Sequence, residues 1–79
     1  MTDVRPLSTI AREIQLTWGA KVNFAARPYL DAMKELNSIS DPFYHDSGES
    51  IVLYFLSNAK AWRGSDARRI KAELKGMLR

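Results

Sequence analysis

A chain of 79 residues without cysteine has room for one small core and no disulfide or thiolate metal site to reinforce it, which leaves association with another chain as its available staple. The longest apolar run, Ile51 to Leu56, is far below the roughly 20 residues that cross a bilayer, and the charged start with Asp3, Arg5, Arg12 and Glu13 resembles neither a secretory signal nor an anchor. A single cytoplasmic domain over residues 1–79 is therefore expected, with its net charge of +3 spread unevenly: seven cations stand against Asp66 and Glu73 after residue 58, while Asp41, Asp46 and Glu49 have no Lys or Arg among residues 41–58.

In chain order, Leu7, Ile10, Ile14 and Trp18 recur at spacings of three and four, which puts them on one face of a first helix. Ser8 or the turn around Pro6 can start it, and Gly19 ends it. Tyr29, Ala32, Met33 and Leu36 form the stripe of a second helix. Proline lacks the N–H and crowds the carbonyl four residues back, so this helix either begins with Pro28 in its first turn or begins near Asn23 and kinks. Both versions predict Phe24 close to the core.

Asn37 to Gly48 reads as a loop with Asp41-Pro42 and Asp46-Ser47-Gly48 as breakers. Asp46 and Glu49 have the spacing of a capping box, with Asp in place of the usual Ser or Thr. A third helix then covers Glu49 to about Ala59. Its Ile-Val-Leu-Tyr-Phe-Leu run also suits a buried strand; the helix is preferred because no second strand candidate can pair with it and a lone strand leaves backbone groups unmet. Apolar all round, this helix is expected at the centre. The fourth helix has Ser65 as N-cap, Asp66 at the positive end, and Ala67, Ile70, Leu74, Met77 and Leu78 as its buried stripe. Arg68, Lys71, Lys75 and Arg79 form a second stripe beside it, and Arg69 can pair with Glu73 across one turn. The expected fold is all-α, four helices with a central apolar third helix and an amphipathic, basic C-terminal helix.

The pieces Pro28-Tyr29-Leu30-Asp31-Ala32-Met33, Tyr54-Phe55-Leu56-Ser57-Asn58-Ala59, Trp62-Arg63-Gly64 and Ala67-Arg68-Arg69-Ile70-Lys71-Ala72-Glu73-Leu74-Lys75 resemble small uncharacterised proteins encoded by phages of actinobacteria. The likeness covers residues from about 7 to 79 and lies in sequence style. It implies a phage accessory protein working inside a bacterial host, and carries no activity or site residues with it.

Chemistry-bearing residues are sparse. His45 is the single histidine, and with Asp41 and Asp46 it falls short of the dense ligand set of a metal site or a diagnostic acid/base pair. No nucleophile elbow and no phosphate-cradling glycine loop occurs, so a non-enzyme without cofactor, metal or small-molecule substrate is expected. Trp62-Arg63-Gly64 combines the residue types that dominate interface hot spots; equally, Trp62 can plug the end of the bundle while Gly64 permits the turn. The stripe Arg68, Lys71, Lys75 and Arg79, extended by Lys60 and Arg63, suits an acidic partner. Nucleic acid is the less favoured partner, since no aromatic interleaves the stripe and no Asn or Gln stands on it for base readout. The expected function is a protein-interaction module that docks on a host protein or a copy of itself. Trp62 and Arg63 would anchor the contact and the stripe would guide approach. The alternative is a nucleic-acid-binding or regulatory protein whose third and fourth helices form a helix-turn-helix-like pair.

Overall fold

Helical periodicity is realised in α1 (Leu7–Trp18), α2 (Arg27–Met33), α3 (Gly48–Ser57) and α4 (Ser65–Met77). The structure, a computed structural model, describes residues 5–78, the side chain of Ala20 excepted. α3 packs on α2, α2 on α1, and α1 on α4.

The apolar spacing of α1 buries Leu7, Ile10, Ala11, Ile14 and Trp18. Pro6 is its N-cap with φ −59°, a value its ring fixes. It offers no side-chain acceptor, so the first-turn N–H groups find others: Leu7 donates to the Asn37 carbonyl at 3.1 Å and Ser8 to the Leu36 carbonyl at 2.8 Å. This backbone pairing ties the start of α1 to the chain leaving α2. Gly19 stops the helix at φ 62°, a left-handed value that costs a glycine little, and a 3-10 turn follows over Gly19–Lys21.

Pro28 lies in the first turn of α2, so the unkinked version of that helix forms. Before it, Asn23 closes a turn: its Oδ1 accepts from Ala25 N–H and its carbonyl from Ala26 and Arg27 N–H. That turn throws Phe24 outward, and it is 89 % exposed. The expectation that Phe24 lies near the core is thus corrected; Val22 and Ala26 fill those places. Leu30 joins Ala32, Met33 and Leu36 inside, whereas Tyr29 is half-buried and leans on Tyr54 with ring centres 5.4 Å apart.

The loop contains a small antiparallel hairpin, β1 (Pro42–Phe43) and β2 (Asp46–Ser47), with Pro42 opposite Ser47 and Phe43 opposite Asp46. The fold is therefore mostly helical with a two-stranded sheet, and strictly all-α no longer describes it. Breakers at both ends frame a two-residue connection, Tyr44-His45, and Tyr44 takes the positive φ, 56°, that such a connection calls for. Gly48 then passes close to the preceding loop: a Cβ there would lie 2.6 Å from the Ser38 carbonyl oxygen. Its N–H donates to the Asp41 carbonyl at 2.8 Å. α3 starts at Gly48, so its N-cap is Ser47, whose Oγ accepts from Ser50 N–H at 3.2 Å, and the expected Asp46 capping box does not form.

α3 buries Ile51, Val52 and Phe55 but leaves Leu53 and Tyr54 each 47 % exposed. Packed chiefly on α2, it is covered on one side only. The expected central position belongs instead to α1, which lies between α2 and α4. In α4, Ala67, Ile70 and Leu74 are buried, with Met77 and Leu78 packed at the edge. Ser65 is its first helical residue and not its cap; Gly64 stands before it at φ 112°, and no side chain caps that end.

Candidate functional site

At 100° per residue, Asp66, Arg69 and Glu73 share one flank of α4, and Arg68, Lys71 and Lys75 share the other. The first flank meets α1. Arg5, just before α1, binds Glu73 through two hydrogen bonds of 2.9 and 2.6 Å. Its Nη1 also lies 2.8 Å from Glu13 Oε1, a charge contact without hydrogen-bond alignment that leaves this oxygen without a donor. Arg69 donates to Glu13 Oε2 at 2.6 Å and to Asp66 at 3.2 Å. The hydrogen bond from Arg69, and then the close Arg5 guanidinium, hold the Glu13 carboxyl below the usual glutamate range, and both guanidiniums are held more firmly protonated in return. The expected Arg69–Glu73 pair does not form, because Arg5 and Glu13 offer each of them a partner across the α1–α4 contact.

The second flank has no such partners. Among the described residues no carboxylate comes within ion-pair distance of Arg63, Arg68, Lys71 or Lys75. Arg63, Arg68 and Lys75 are exposed, as is the neighbouring Lys60, while Lys71 is half-buried. Arg79, the expected end of this stripe, lies outside the described residues.

Trp62 is a core residue, 4 % exposed. It stacks on Trp18 with ring centres 5.3 Å apart and planes 12° from parallel, and Trp18 meets Phe55 edge-on at 6.3 Å. This corrects the expectation that Trp62 anchors an external contact: its ring is spent on joining the end of α1 to the 58–64 link. Its carbonyl accepts from Lys71 Nζ at 2.6 Å, and that ammonium lies 5.9 Å from the indole ring centre. Burial first, then the charges of Lys75 and Arg63, depress the Lys71 pKa. Two indentations flank this bridge. One of about 300 Å³ is lined by Trp62, Arg63, Gly64, Ala67, Arg68 and Lys71; the other, about 320 Å³, adds Thr17, Trp18, Lys21 and Ala61 to Trp62 and Arg63.

Elsewhere the candidate chemistry disperses. Asp41 is committed to the loop backbone, its Oδ2 accepting from Asn37 and Ser38 N–H, and His45 is exposed at the hairpin tip. No group of three or more His, Asp or Glu among the described residues could hold a metal ion, and no described helix is long and apolar enough to cross a membrane. α3 and α4 are separated by the whole 58–64 link. A helix-turn-helix joins its two helices by a turn of about 3–4 residues, shorter than this link. Sequence reasoning missed the Arg5–Glu73 and Arg69–Glu13 pairs and the Lys71–Trp62 bond. Partners 68 and 56 positions apart leave no local signal.

No protein-family model, no curated protein and no solved structure matches the chain.

Proposed function

We propose that the chain is a non-enzymatic interaction module, a phage accessory protein of the host cytoplasm, which docks on an acidic surface of a host protein through Arg63, Arg68, Lys71 and Lys75. One observation carries this reading: among the described residues, the fold compensates the cations facing α1 and brings no carboxylate to these four. Four like charges on one flank favour encounter with an acidic surface and disfavour a basic one. Arg63 takes the anchoring role, exposed beside the fixed Trp62, since arginine offers a planar fork to a carboxylate. Duplex DNA meets the same charges, but no aromatic interleaves the stripe and no Asn or Gln stands on it for base readout.

The test is capture of a defined stoichiometric partner from host extract by the folded chain, beside binding of random duplex DNA at low and moderate salt. The reading predicts a protein partner lost on Arg63→Glu and on Lys75→Glu, with little duplex binding once salt is moderate. Strong duplex binding that persists at moderate salt, with no protein retained, would refute it. Light scattering at rising concentration identifies the case in which the captured partner is a second copy.

A further inference from the structure

Three cations converge on one hollow. Arg63, Arg68 and Lys71 line the indentation of about 300 Å³ between the 58–64 link and α4, with Trp62, Gly64 and Ala67 completing its wall. Lys71 is fixed there, its ammonium held by the Trp62 carbonyl at 2.6 Å. An ammonium has three donors, so two remain to be directed elsewhere. No described carboxylate answers any of the three side chains. Partial burial also removes water that would screen Lys71 from Arg63 and Lys75, and its charged form is disfavoured accordingly. An anion seated here would relieve that repulsion.

We propose that this hollow is a binding site for a phosphate monoester. Such a group is close to a dianion at neutral pH and presents three acceptor oxygens, which matches three cationic side chains, two of them guanidinium forks. A carboxylate brings one charge, and a nucleic-acid backbone diester brings one charge and two free oxygens; either leaves part of the cluster unanswered. The three side chains carry the site rather than the start of α4, whose first turn already holds Asp66. The inference rests on this flank being the docking face and names the group presented to it: a monoester on a phosphorylated side chain of the partner, or the same chemistry on a small molecule.

The test is a titration of the isotope-labelled full chain with inorganic phosphate, against chloride at matched ionic strength, followed through the amides of Gly64 to Arg68 and the Trp62 indole N–H. Saturable shifts confined to these signals are expected. Arg68→Ser should weaken them about tenfold, and Arg12→Gln, an exposed cation on α1, should leave them unchanged. Arg68 is itself exposed, so its substitution tests the site without the risk to folding that Lys71→Met carries through the lost Trp62 bond.

Two further arms locate the source. A phosphoserine peptide bound more tightly than a nucleoside monophosphate assigns the group to a protein partner, and the reverse order assigns it to a small molecule; both retain the site. Shifts that never saturate, that chloride reproduces, or that ignore Arg68→Ser would overturn it, as would a glutamate peptide binding as tightly as its phosphoserine counterpart. Loss of partner capture on Lys75→Glu together with no phosphate response sinks this site alone and leaves the docking face standing.

Discussion

Both flanks of α4 carry cations, and the fold treats them in opposite ways. On one, Arg69 and Glu73 reach across to Glu13 and Arg5, and each charge is answered within the fold. On the other, Arg68, Lys71 and Lys75 have Arg63 as a neighbour and no described carboxylate. Charge count alone does not separate a stabilising cation from one held for a partner. What separates them is the element each flank faces: α1 brings Glu13 within reach, whereas the 58–64 link brings Arg63 and the Trp62 carbonyl oxygen.

The largest way to break this comparison is to remove the wall between the flanks and the core. Trp62→Ala deletes the ring stacked on Trp18 and should cost about 3–5 kcal/mol, read as a lower midpoint in urea unfolding. Lys71 would lose its fixed position with it, so any phosphate response should vanish together with the stack. Next in size, acid should attack the paired flank. Glu13 is held below its ordinary pKa, so its contribution is fully present above the unfolded value of about 4.3 and is lost as pH falls through the lower folded value. Glu13→Gln should therefore flatten the stability profile in that acidic window, at a cost at neutral pH of about 1 kcal/mol, because the network stays partly open to solvent. The smallest effect sharpens the contrast: Lys75→Glu places an acid four residues after Lys71, which should raise the Lys71 pKa and change stability by about 0.5 kcal/mol at most.

Much of the helical frame was legible. Spacings of three and four in Leu7, Ile10 and Ile14, and in Ala67, Ile70 and Leu74, marked buried stripes because burial follows the turn of the helix, and Gly19 ended α1 as its freedom at positive φ allows. Where two chemistries competed for one boundary, reading failed. Asp46 and Ser47 can both cap α3, and the start of the helix at Gly48 decided between them; a two-residue strand is too short to show a period. Hydrophobicity alone also misplaced α3, since Leu53 and Tyr54 are half-exposed and coverage depends on how many neighbours a helix finds. At the candidate site the stripe of cations was visible in the spacing, but its isolation from acid was not. That depends on which residues long-range packing brings to each flank, and of the two readings of Trp62, bundle plug and surface anchor, its stack on Trp18 supports the plug.

Urea unfolding of Arg69→Glu and Lys75→Glu side by side at neutral pH and low salt tests the asymmetry most directly. Reversing Arg69 puts a third negative charge beside Glu13 and Asp66 and should lower the midpoint clearly, while reversing Lys75 relieves repulsion and should leave the midpoint unchanged or higher. Equal losses in the two variants would contradict the division of α4 into a compensated flank and an open one.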